Sequence, residues 1–411
     1  MEPTSKSSRS SLLGPIPLLV CATLLVWALP AVFTQLPALL GFDHPDKWFL
    51  DSYAVLASSD AVRAGINPDL PNPLDILHRP HSYSNWWFGL GSLGLTRQDN
   101  FAVGLVWVAV FLAVAILILR PRTYRDAALA LAFLGSPVVL LTVIRANNDL
   151  VVFALIGAAA LLLRRDTTVR IALAALLVAL AAGLKFYPLV AGLFVILIRP
   201  GKRLCFCLLG VGALLTAVLI DVGSTISRGT FGLSTDIHKT GLPVLLTDLG
   251  FAGRTPQAIG AGLIGLAGFM LARRGITSGL ADADAGKRQA FLLGAVLLAA
   301  CFVAGVSHAY RWVFVVLLLP WLIGRLADSS SRRVAIAALA LLLLVCWGDG
   351  LLCLTLNWLW TTRTVESVAH LERVWRFVTQ PLHWILVALL AGWLWDAVFA
   401  AVRAIQPAQR V

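Results

Sequence analysis

The sequence predicts an all-α polytopic membrane protein, a bundle of about twelve transmembrane helices with a large first outer loop carrying short interfacial helices. Three observations predict it. Of 411 residues, 59% are hydrophobic and only 13% charged, with a mean hydropathy of +0.85; soluble domains carry about 25% charged residues. Apolar runs recur along the whole chain and leave no polar stretch able to fold alone, so residues 1–411 read as a single integral membrane domain. Basic residues, finally, concentrate in alternate loops.

A helix needs about 20 apolar residues to cross the hydrocarbon core. The first run, residues 12–33, follows Lys6 and Arg9 and competes with a secretory signal. It is longer than a signal core and has no small-x-small cleavage site, so it reads as the first span. The spans fall near 13–35, 101–120, 127–144, 149–163, 169–184, 186–199, 204–222, 257–273, 289–307, 311–325, 333–353 and 380–402. With the N-terminus inside, inner ends and loops hold 20 of the 33 basic and 7 of the 21 acidic residues, a balance of +13, against −1 outside. That bias puts both termini in the cytoplasm, in the plasma (inner) membrane, with outer loops at about 42–100, 223–256 and 354–379. The net charge of +12 is therefore topology rather than a nucleic-acid footprint. Trp48, Trp86, Trp87, Trp358, Trp360 and Trp375 lie in these loops, where an interfacial aromatic belt belongs. The six cysteines fall in or beside apolar runs without metal spacing and read as apolar fillers.

Within the first loop, residues 48–69 read as a short helix. Asp51 could cap it, Tyr53, Leu56 and Val62 could line one face, and Gly65 with Pro68 would end it. The alternative for Asp51 is chemical, with Asp43 and Asp46 as substitutes; His78 and His81 lie in the same loop.

Three polar clusters sit at outer helix ends. "IRANNDL" (144–150) and "GLKFYPL" (183–189) interrupt spans too short to cross unaided, and "SHAYRW" (307–312) puts His308 and Arg311 on one helical face. A charge facing lipid at mid-bilayer costs at least about 2.5–3.5 kcal/mol, so Arg145, Asp149 and Lys185 fit an outward polar cavity better. Plainer roles compete: Asn147, Asn148 or Asp149 as helix caps, Lys185 snorkelling to the interface, His308 as structure.

Carboxylates and cations converging on an outward cavity suit transfer of a sugar from a lipid-linked phosphate. A leaving phosphate needs charge stabilisation, and the acceptor hydroxyl needs a base. A secondary transporter or lipid flippase competes, but would bring an internal repeat and midplane charges; an envelope polysaccharide polymerase or ligase would carry its largest outer loop late. No cofactor is expected. The loop carboxylates and histidines permit a divalent metal but have no coordination spacing, so no metal ligands are assigned.

Asp51, Tyr53, Gly65, Asn67 and Pro68, with Gly65 fourteen positions after Asp51, resemble the first outer loop of the polyprenyl-phosphate-mannose-dependent mannosyltransferases of glycosyltransferase family 87, within the GT-C superfamily. "RANND" resembles that family's Asn-x-Asp hairpin, "GLKFYPL" its Lys-x-x-Pro element, and "SHAYRWVF" its polar hairpin near the donor phosphate. Asp69 replaces the aromatic residue expected after the Asn-Pro pair, and Arg145 stands where small residues are commoner. The resemblance implies a GT-C-type bundle and a hexosyltransferase of the cell envelope. It implies Asp51 as the base; the cations at the outer ends of separate spans, Lys185, His308, Arg311 and Arg145, would then surround the donor phosphate, with His238 and Lys239 as the alternative. Asn148, Asp149, Tyr187 and Tyr310 would bind substrate. Its partners would be a polyprenyl-phosphate sugar donor, a glycolipid or glycan acceptor and the bilayer, with no nucleic acid.

Overall fold

A computed structural model describes residues 14–42, 44, 46–198, 212, 239–251, 253–305, 307–360 and 365–405. The expected span at 204–222 except residue 212, Asp43, His238 and residues 223–238 and 252 of the loop 223–256 lie outside the described residues. The regular secondary structure of the described residues is helical apart from one antiparallel pair of two-residue strands, Lys239–Thr240 with Ser307–His308.

Six described helices are long and apolar enough to cross a membrane: Pro15–Val32, Arg97–Leu119, Arg254–Arg273, Ala285–Ala304, Arg332–Thr355 and Val374–Ala404. A seventh span results if Tyr124–Leu134 and Pro137–Ile144, bent by 60°, are counted together. The bend is written locally. Gly135 ends the first piece, and Ser136 caps the second through a hydrogen bond from the Val139 amide, with Pro137 in its first turn. Helices Asp149–Leu162 and Thr168–Leu184 are apolar but shorter than a span.

One expected span takes another form. The span at 311–325 is a 3₁₀ segment, Ala309–Leu317, followed by the short helix Leu319–Arg325. Its β-branched residues lose rotamer freedom in an α-helix, Pro320 opens a new helical turn, and Val313 to Leu319 are entirely buried, so packing decides the local form. In the segment expected as the outer loop 354–379, residues 354–360 and 365–379 are helical, continuing Arg332–Trp360 and Val365–Ile405 from either side. No Gly or Pro occurs in 354–379, so nothing in its composition breaks the helix at 354–360 or 365–379.

Phe111, Phe133, Phe153, Phe291, Phe302, Phe314 and Trp393 fill the core. Large apolar residues such as Leu25, Val106, Ile259, Leu263 and Leu266 are exposed along the long helices, a surface that requires lipid.

The first loop folds onto one end of this bundle. Its helix, Leu50–Arg63, buries Val55, Leu56, Ala57 and Ala61, leaves Tyr53 half-buried and Val62 exposed, and ends at Gly65, whose φ is 72°. Asp51 does not cap it: Phe49 holds the N-cap position in the left-handed region at φ 59°, and Asp51 is the second helical residue. Tertiary bonds fix this start, the Phe49 amide donating to the Ile144 carbonyl (2.7 Å) and the Asp51 amide to the Arg145 carbonyl (2.9 Å). Gly104 makes room beside them, since a Cβ there would lie 2.4 Å from the Phe49 ring. Trp87 is buried rather than interfacial and donates its indole N–H to the Leu184 carbonyl (3.2 Å). Trp86 lies against Gly183, where a Cβ would come within 2.1 Å of its ring. The loop is thereby pinned to both polar hairpins.

Candidate active site

Asp51, 2% exposed, is the hub of a first cluster. Its Oδ2 accepts from Arg145 Nε (3.0 Å) and Asn147 Nδ2 (2.7 Å), and its Oδ1 from Arg145 Nη2 (2.8 Å) and Arg79 Nη1 (3.4 Å). The turn that delivers two of these partners is strained. Ala146, a buried non-glycine held at φ 41°, lets Arg145 and Asn147 on either side reach one carboxylate. Arg79 arrives from the Pro-rich stretch after the loop helix, held by Asp75 Oδ2 (2.8 Å), Asp75 Oδ1 (3.0 Å) and the Leu50 carbonyl (2.8 Å). Burial alone raises the Asp51 carboxyl. The charge and hydrogen bonds of Arg145, the Arg79 charge and the Asn147 hydrogen bond outweigh it and hold the group below the ordinary carboxylate range.

Asp149 is the hub of the second cluster. Fully buried at the start of its helix, it accepts on Oδ1 from Lys185 Nζ (2.5 Å) and Tyr187 Oη (2.7 Å). Asn147 Oδ1 accepts from its amide (2.9 Å), which ties the two clusters together through one side chain. Its Oδ2 is shut away from solvent without a partner, as are both amide atoms of the buried Asn148. Arg311 stacks on the Tyr187 ring (5.5 Å) and donates a long bond from Nη1 to Ser307 Oγ (3.5 Å). Its Nε is buried without a partner, and among the described residues it forms no ion pair.

Tyrosines join the clusters. Lys185 Nζ lies 5.8 Å from the centre of the Tyr83 ring and 5.6 Å from that of Tyr310. Burial, with the Asp51 charge, pushes the Tyr83 hydroxyl well above its ordinary range, so it is a neutral donor. Tyr310 also stacks on His308 (5.1 Å, 10° between planes), and its carbonyl accepts from Thr142 Oγ1 (3.3 Å).

Arg145, Asp149, Lys185, Tyr187, Tyr310 and Arg311, drawn from separate hairpins, therefore share one site with Asp51. His308 joins through Tyr310. Lys185 does not snorkel; it is paired inside. Asp46 is exposed in a turn. Arg79, Tyr83 and the bond from Asn147 to Asp51 were not anticipated. Their signal was weak: in "LHRPHSY" the histidines draw attention, while the arginine between them is the residue that reaches the site.

Among the described residues of the two clusters, Arg79, Arg145, Lys185 and Arg311 outnumber Asp51, Asp75 and Asp149 by one, and Arg311 is the cation that forms no ion pair with a described carboxylate. A site with surplus positive charge and unmet donors is suited to an anion carrying further acceptors. Among the described residues, no group of three or more His, Cys, Asp or Glu could hold a metal ion. No family model, curated protein or solved structure matches the chain.

Proposed function

We propose that the chain is a glycosyltransferase that moves a sugar, mannose first among the candidates, from a polyprenyl-phosphate donor to an acceptor hydroxyl. On this reading the bundle is of the GT-C type with about twelve spans, in the plasma membrane, and the site opens outward. The observation that carries it is Arg311, a largely enclosed guanidinium without an ion-pair partner among the described residues, sharing a cluster with Lys185 and Asp149. An unpaired charge is expensive to keep out of water, and a phosphate would complete it.

The donor phosphate then lies against Arg311, Lys185 and His308. Asn148 and the open oxygen of Asp149 meet sugar hydroxyls, which both donate and accept. The acceptor hydroxyl loses its proton to Asp51, its oxygen attacks the anomeric carbon, and the bond from that carbon to the phosphate oxygen breaks. The electron pair leaves with polyprenyl phosphate, whose added charge the cations stabilise. Tyr83 and Tyr310 supply flat faces for a sugar ring. The test is consumption of a labelled polyprenyl-phosphate mannose by the purified chain, with Arg311→Gln as control. Loss of consumption in that variant supports the reading. Wild-type protein that leaves every labelled polyprenyl-phosphate sugar intact removes it.

A further inference from the structure

We propose that Arg145 is a phosphate-operated lock on Asp51: it closes the carboxylate in the unloaded site and opens it by moving to the donor phosphate. The inference rests on the reading of Asp51 as the base and of the donor as a polyprenyl phosphate.

An ionised carboxylate offers about four lone-pair positions. In Asp51 all four are taken, by Arg145 Nε and Nη2, Asn147 Nδ2 and Arg79 Nη1. No position is left for an acceptor hydroxyl, so the base is closed until one partner withdraws. The partners are not equally free to leave. Arg79 is fastened to both oxygens of Asp75 and to the Leu50 carbonyl, and Asn147 also caps the Asp149 amide. Among the described residues Arg145 has side-chain bonds to Asp51 alone, from two of its five N–H donors. Its planar fork fits a phosphate as well as a carboxylate, so the exchange keeps its charge paired. Donor binding thus bares the Asp51 oxygen that receives the acceptor proton, and the donor must bind before the acceptor.

The test reads binding rather than turnover, using the full chain in lipid nanodiscs, a polyprenyl monophosphate as probe and the polyprenol of equal length as control. A lock lowers probe affinity by the fraction of molecules held closed. Asp51→Asn keeps the shape and releases the grip, so it binds the monophosphate about tenfold tighter if one molecule in ten is open at rest, with no change for the polyprenol. With Arg145→Gln already present, Asp51→Asn brings no gain. Unchanged or weaker binding by Asp51→Asn overturns the lock, as does a gain that persists without Arg145, which would be a simple field effect of the lost charge. Should Asp51→Asn fail to fold, the wild-type chain decides: a structure with the monophosphate bound must show Arg145 on the phosphate and an Asp51 oxygen uncovered. All four Asp51 bonds intact beside bound phosphate overturns the proposal. Transfer is not read in either measurement, so Arg145-dependent tightening without sugar transfer removes the transferase reading and leaves the lock, and transfer without tightening does the reverse.

Discussion

Replacing Arg145 by Met tests the Asp51 cluster most sharply as structure. Arg145 supplies two of the four hydrogen bonds to a carboxylate that is 2% exposed, at 3.0 and 2.8 Å. What remains is a neutral amide at 2.7 Å and one guanidinium at 3.4 Å that already serves Asp75. Removing one member of a buried pair costs about 3–5 kcal/mol, because the other charge stays buried. Arg79 offsets part of this, so a loss of about 3 kcal/mol is expected. A change of 1 kcal/mol moves the melting temperature by roughly 2–4 °C in a domain of 150–250 residues and by less in a larger chain, so the drop should be on the order of 5 °C. Thermal unfolding of the purified chain in one lipid or detergent provides the assay. The double variant Asp51→Leu with Arg145→Met should recover most of the loss, since no lone charge is left. A single variant that melts within about 1 °C of wild type would refute the pairing as a source of stability.

The other predictions follow from the same contacts. Arg311→Gln should weaken binding of a polyprenyl monophosphate by about 10–100-fold, through loss of charge-assisted bonds, while leaving the melting temperature unchanged or higher because Arg311 forms no ion pair among the described residues; equal affinity would move the phosphate elsewhere. The Asp51 carboxyl is held below its unfolded value of about 3.9, so its stabilisation is present above that pH and fades as pH falls through the folded value. The stability gap between wild type and Arg145→Met should therefore narrow below about pH 4, and a constant gap in acid would contradict the pairing. Asp69 and Asp282 are both exposed, one in the first loop and one between Arg254–Arg273 and Ala285–Ala304. In a chain freed of native cysteines, Asp69→Cys should label with an impermeant thiol reagent in intact cells and Asp282→Cys only after permeabilisation; the opposite pattern reverses the topology.

Helix positions were legible because apolar runs announce themselves, and the site charges because a lone Arg145, Asp149, Lys185 or Arg311 at a helix end is costly in lipid. What the sequence hid was tertiary. The start of Leu50–Arg63 is set by carbonyls of Ile144 and Arg145, nearly a hundred residues away, so Asp51 looked like a cap and proved to be an ion-pair hub. Arg79 sits in a stretch with no periodicity to give its direction, held by a carboxylate four residues before it. Hydropathy marks 354–379 as polar but does not report its local form: residues 354–360 and 365–379 are helical.

Sugar transfer itself is the central claim, and Asp51→Asn reads it most directly. Purified wild-type chain and the variant are given labelled polyprenyl-phosphate mannose with an extract of envelope glycolipids, and labelled glycolipid is counted. The wild type should move label to lipid, while the folded variant still binds donor and loses about 10²–10⁴-fold in rate, the usual share of a general base. Transfer at a near-normal rate by Asp51→Asn would contradict the assignment of the base, and no transfer by the wild type from any polyprenyl-phosphate sugar would contradict the function.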